Sequence, residues 1–174
     1  MVLAMPIRFI LPIFARDVFE VGSSGLGGMM SLMGLGSLGG ALAIASAGKL
    51  ARRGFLLAAA GLVSGAFLLG FAAVSEFAPM YYAGLVFMAL IGMVQSARMT
   101  LNNSLMMEYS AEEYRGRVMG LFTLNMAIMP AGVLPITFAV EAIGAPGALA
   151  IMASALMLIS GAVLVGSRAL RRLE

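Results

Sequence analysis

Charged residues punctuate the chain, and the intervals between them are apolar. No Asp, Glu, Lys or Arg occurs in residues 21–48, 54–75, 77–97, 118–140 or 142–167, and each of these stretches is at least 21 residues long. A bilayer core of about 30 Å takes roughly 20 helical residues at about 1.5 Å each, so all five can cross it. A sixth stretch, Val2 to Ala15, ends at the polar cluster Arg16, Asp17 and Glu20. It makes only about 22 Å of helix, short of a full crossing. The pattern therefore predicts helices near 1–15, 23–47, 54–75, 79–108, 117–140 and 146–167. No barrel-like alternation is present, and backbone in lipid must satisfy its own hydrogen bonds, so the expected fold is all-α. Pro79 and Pro146 fall where a first-turn proline is tolerated, and Ser110 with Glu113 reads as a capping box before the fifth helix.

Composition agrees. Of 174 residues, 61% are hydrophobic and 11% charged, against roughly 25% charged in soluble domains. So little polar surface could not cover a soluble globule of this size, and a disordered chain would have the opposite bias. The absence of Cys and His excludes disulfides, thiolate chemistry and Ser-His-Asp triads, and leaves no metal or cofactor site to expect. The net charge of +3 resides in short separate loops rather than a basic stripe, which speaks against a nucleic-acid partner.

Those basic residues report topology instead. With a cytoplasmic carboxyl terminus, the inner segments hold Lys49, Arg52, Arg53, Arg115, Arg117, Arg168, Arg171 and Arg172, whereas the opposite loops hold only Arg16. That bias predicts a multi-pass protein of the cell (inner or plasma) membrane with its carboxyl terminus inside.

Several motifs take ordinary readings. Gly34 to Gly39 matches the G-x-G-x-x-G expression of dinucleotide sites, but it lacks a preceding strand and the next acid is Glu76. Gly36 with Gly40, Gly39 with Ala43 and Ala47, and Gly61 with Gly65 place small residues one turn apart, which lets helix backbones approach closely. The 16 methionines are read as apolar packing.

Candidate chemistry gathers on the fourth helix. Met80 to Val94 is apolar, then Gln95, Ser96, Arg98, Thr100, Asn102, Asn103 and Ser104 follow. Gln95, Arg98 and Asn102 share one helix face. An Arg at this depth, roughly 14 Å from the helix end, costs about 2.5 to 3.5 kcal/mol on insertion scales, so it should face protein or a wet cavity. Asn125 on the fifth helix lies at a similar depth. These four residues are expected to line one aqueous pathway, with interhelical glue as the alternative. Pro130 and Pro135 remove backbone donors in the fifth helix and can kink it. Arg8, between Pro6 and Pro12, has no evident role.

The run Leu11 to Phe19 (LPIFARDVF), the glycine-rich Gly25 to Gly40, the basic turn Gly48 to Gly54 (GKLARRG) and Glu113 to Gly120 (EYRGRVMG) together resemble the carboxyl-terminal half of a major facilitator superfamily transporter, in the enterobactin-exporter-like and multidrug-efflux-like branch. The resemblance covers nearly the whole chain. It implies that residues 1–174 are the last six of twelve helices, the first of them truncated, and that substrate is held between two halves near the midplane. The family's signature loop carries an Asp before its basic cluster, and Lys49, Leu50, Ala51, Arg52, Arg53 has none. Lys49, Arg52, Arg53, Glu112, Glu113, Arg115 and Arg117 are still expected to form a cytoplasmic gating network of ion pairs. None of the charge-free spans supplies a carboxylate for proton coupling, which places that acid in the other half.

The expected function is secondary transport, as efflux of small amphipathic or anionic molecules by alternating access. The expected partners are a small-molecule substrate, membrane lipid, and a missing amino-terminal half or a homodimer mate. A self-associating half-size carrier and a non-transporting membrane scaffold are the alternatives. An enzyme is not expected, because no nucleophile, base and orienting group can be assembled.

Overall fold

A computed structural model describes residues 7–47, 53–77, 80–109, 116, 120, 123 and 133–166. Every regular element among them is helical: α1 (Ile7–Ile13), a π-helical turn (Phe14–Val18), α2 (Gly22–Ser46), α3 (Arg53–Phe77), α4 (Tyr81–Tyr109) and α5 (Val133–Gly166). Four of these helices are long and apolar enough to cross a membrane, within Gly22–Ser46, Gly54–Phe77, Tyr81–Leu105 and Ile136–Gly166. The first two fall within a few residues of charge-free stretches, as the cost of charge in hydrocarbon leads one to expect, whereas the third runs past residue 97 and carries Arg98 inside it. Six crossings are not seen among the described residues. Most of the expected fifth span, 117–140, lies outside them, as do Pro79 and the Ser110/Glu113 capping box.

Two ends differ from expectation, each for a local reason. The expected helix 1–15 is an α-helical stretch that relaxes into a π turn. Pro12 sits inside α1 and has no N–H to return to the Arg8 carbonyl, and such a gap loosens the following turn. The chain then closes through Phe19 N–H to the Phe14 carbonyl and Val21 N–H to the Ala15 carbonyl, both 2.9 Å. Glu20 (φ 52°) and Gly22 (φ 61°) turn it into α2. Near the carboxyl end, the expected loop at 141–146 shrinks to one non-helical residue, Gly144 (φ 77°, ψ 165°). Only glycine adopts that backbone without strain. Pro146 follows in the first turn of the second limb of α5, as its fixed φ favours.

Helix faces meet where side chains are smallest. A β-carbon built on Gly36 would overlap the Ala89 carbonyl oxygen, one on Gly40 that of Met93, and one on Gly92 that of Met33. The α2–α4 seam is therefore backbone against backbone, and the pairing of Gly25 with Tyr81 at one end and Gly40 with Met93 at the other makes the two helices parallel. Gly61 faces Ser160, and Gly65 faces Met157 and Ala153, so α3 and the second limb of α5 run antiparallel by the same device. The sequence pairs Gly36/Gly40 and Gly61/Gly65 are thus both packing sites. Gly39 meets only the tip of Met93, at an ordinary 3.6 Å.

The remaining surface is apolar in both directions. The core joins Ile7, Ile10, Leu11 and Phe14 of the first segment to Met29, Met33, Leu68, Phe71, Met88, Ile91, Leu149 and Leu156. Leu35, Leu38, Leu42, Val86, Leu158 and Val165 point outward, as hydrocarbon solvent allows. Phe71 anchors one end of the bundle, with Phe14 at 5.0 Å and Phe19 at 6.0 Å between ring centroids. Tyr81 continues the cluster and donates its hydroxyl to the Gly25 carbonyl at 2.9 Å. Since lipid is as apolar as leucine, close packing rather than expulsion from water holds these helices together.

Gly36→Ala and Gly40→Ala should each destabilise the protein by about 1 to 3 kcal/mol, as overpacking against an immovable backbone does. Gly27, whose built β-carbon meets nothing within 4 Å, should accept Ala with no loss. Thermal unfolding of the three variants in a mild detergent tests the contrast, and equal shifts would refute the seam.

Candidate functional site

The burial pattern of α4 changes at its middle. Up to Gly92 the helix buries Gly84, Met88, Ile91 and Gly92; from Val94 to Thr100 every residue is half-buried, and Leu101 is again enclosed. Gln95 and Arg98 fall in this half-buried section. Gln95, Arg98 and Asn102, all half-buried, are separated by three and four residues and so occupy one strip of the helix surface. Arg98 stands 17 residues from Tyr81 and 11 from Tyr109, roughly 26 and 17 Å along the axis. Neither end is near.

Two atoms in this strip are enclosed and unpaired. Gln95 Oε1 and Arg98 Nε have no hydrogen-bond partner among the described residues. A buried polar atom without a partner normally costs about 1 to 3 kcal/mol, and in native proteins it marks an unseen ligand, water or functional group. Here one orphan is an acceptor and the other a cationic donor. The orientation of the strip comes from the seam beside it. Ser37 of α2 donates its hydroxyl to Met33 O (2.9 Å) and to Gly92 O (3.2 Å), tying α4 to α2 one turn before Gln95.

Ser37 was not singled out by its sequence, since a serine among glycines is ordinary in a packing stripe. Its role appears only when α4 is laid alongside. Asn125, the fourth residue expected on the pathway, lies outside the described residues. So do Lys49, Arg52, Glu112, Glu113, Arg115, Arg117 and Pro130. Arg53 begins α3 and Pro135 stands near the start of the described part of α5, while the break within that helix is at Gly144. Among the described residues, no group of three or more His, Cys, Asp or Glu could hold a metal ion.

A separate cleft of about 340 Å³ opens between the Phe77 end of α3 and the Gly144 break, lined by Leu69, Ala72, Phe77, Ile143 and Pro146, with Glu76 as the one charge among its described residues. It lies at the opposite end of α3 from Arg53 and does not include the polar strip.

Long apolar helices, glycine seams and a polar strip in mid-span define a polytopic helical membrane protein with an internal polar surface. The model of the Major Facilitator Superfamily matches residues 1–134, and the chain belongs to that superfamily, a family of membrane transporters. No curated protein and no solved structure matched the chain.

Because the chain has no native cysteine, single substitutions can report where water reaches. Gln95→Cys and Asn102→Cys should react with a charged, membrane-impermeant thiol reagent at least about tenfold faster than Val86→Cys, which is exposed on the apolar part of the same helix and should face lipid. Equal rates would remove the aqueous strip.

Proposed function

We propose that the protein is one half of a twelve-helix secondary transporter, and that it exports small amphipathic or anionic molecules by alternating access. The observation that carries this reading is the pair of enclosed, unpartnered atoms, Gln95 Oε1 and Arg98 Nε, in the middle of an otherwise apolar helix. A cation at that depth is tolerated where it faces a wet cavity or an anionic ligand. The Arg98 guanidinium raises the local positive potential and binds the substrate's negative group. Gln95, Asn102 and Asn125 hold its neutral polar groups along the same path.

The other assignments follow from this arrangement. Lys49, Arg52, Arg53, Glu112, Glu113, Arg115 and Arg117 form a cytoplasmic ion-pair network that changes partners between the inward- and outward-open states. Single exposed pairs are worth little, so only that difference between states matters. Pro130 and Pro135 let the fifth helix bend during the exchange. In the described spans the acids Glu76, Glu108 and Glu141 stand at or near helix ends or the Gly144 break, so proton coupling draws on a carboxylate of the partner half.

In energised vesicles holding the protein, Arg98→Gln should reduce transport of an anionic fluorescent amphiphile at least about tenfold, the scale of one lost hydrogen bond to a charged group, with protein abundance unchanged on an immunoblot. A loss of abundance that matches the loss of transport would assign Arg98 to packing instead. Full-rate transport by the purified chain alone in liposomes would replace the half-transporter with a self-associating carrier.

A further inference from the structure

The second cation in the bundle is Arg8, and its surroundings are more specific than those of Arg98. A cavity of about 220 Å³ lies between α1 and α2, lined by Arg8, Leu11, Met30, Met33, Gly34 and Ser37. Gly34 is the thirteenth of the 25 residues of α2, so the cavity sits at the middle of that helix, roughly 18 Å from either end. Arg8 itself is exposed, so its guanidinium is open to a solute at this level. Among the described residues no carboxylate pairs with Arg8; the one ion pair near it in sequence joins Arg16 to Asp17, at 3.6 Å.

The chemistry of the lining is one-sided. Leu11, Met30, Met33 and Gly34 offer no side-chain donor. Ser37 has already committed its proton to the carbonyls of Met33 and Gly92. Among the described residues of the lining, Arg8 is therefore the only side chain with hydrogen-bond donors to spare, and a guanidinium presents them in a fork that matches a carboxylate. The volume is below the usual range of about 300 to 1,000 Å³ for drug-sized ligands. It suits a charged head and a short apolar body lying on the methionines, whose flexible thioethers adapt to varied shapes.

We infer that this cavity is a binding site for the carboxylate end of a small amphipathic anion, with Arg8 clasping the head and Met30 and Met33 holding the chain. The inference rests on the transport reading above and adds to it a place and a substrate class. It also gives Pro12 a part, because the missing N–H loosens α1 one turn beyond Arg8 and leaves room beside the head.

The test uses the purified chain in an uncharged maltoside detergent and radiolabelled octanoate as the probe, read by scintillation proximity. Saturable binding is expected. Octanol and octylamine, which share the chain but not the negative head, should fail to compete. Arg8→Met should weaken octanoate binding about 10- to 100-fold, the scale of a charge-assisted bidentate contact. Gly34→Leu keeps Arg8 but fills the cavity, since a β-carbon at Gly34 meets nothing within 4 Å; it should weaken binding at least about tenfold, and it decides the matter if Arg8→Met does not fold. Unchanged binding in both folded variants, equal competition by octanol, or no saturable binding to the wild-type chain would overturn the inference. Displacement by phosphatidylglycerol as potent as that by octanoate would reassign the site to lipid and also overturn it. Because binding is read without transport, octanoate bound through Arg8 with no anion transport in energised vesicles holding the protein together with its other half would sink the transport reading alone, whereas anion transport with Arg8→Met binding normally would sink this inference alone.

Discussion

Three absent β-carbons set the geometry of this bundle. Gly36, Gly40 and Gly92 allow the backbones of α2 and α4 to lie against each other, and in lipid, where no expulsion of apolar surface from water drives helices together, that closeness is the source of the attraction. The depth of every functional group follows from it. Arg98 and Gln95 stand at their level because the seam fixes how far α4 has slid along α2, and Ser37 reaches the Gly92 carbonyl only because no side chain intervenes.

The same seam explains why polar groups can be carried in the middle of the span. Helices in close contact leave little slack, so an opening has to be built where the contact ends. On α4 the enclosed Ile91 and Gly92 are followed by the half-buried section with Gln95 and Arg98. On α2 the cavity of Arg8 borders the seam itself, since Met33 and Ser37 belong to both. Packing and polar surface are divided along the helices, with the tight regions giving rigidity to the walls of the open ones.

Much of the fold was legible in the chain because charges are costly in hydrocarbon, so Arg53, Glu76 and Glu108 mark helix ends to within a few residues. The faces were harder. Apolar periodicity says little when lipid and core are equally greasy, and only the small residues distinguished α2's packed side from its Leu35, Leu38 and Leu42 side. Residues 141–146 look like a loop because they are rich in small side chains, whereas a single left-handed glycine, Gly144, makes the turn. The polar strip of α4 was visible because Gln95, Arg98 and Asn102 break an apolar run. Arg8 and Ser37 were not, since each becomes informative only through residues on another helix.

The bond made by Ser37 has a consequence for motion. One proton serves two carbonyls, Met33 on its own helix and Gly92 on the neighbour, at 2.9 and 3.2 Å. A shift of α4 along α2 would lengthen the weaker of the two contacts while the stronger kept the hydroxyl satisfied, so no orphaned donor is created in the hydrocarbon. The junction can therefore unlatch and relatch at little enthalpic cost, which is the property a wall needs if it is to hold a shape firmly and still give it up on every cycle.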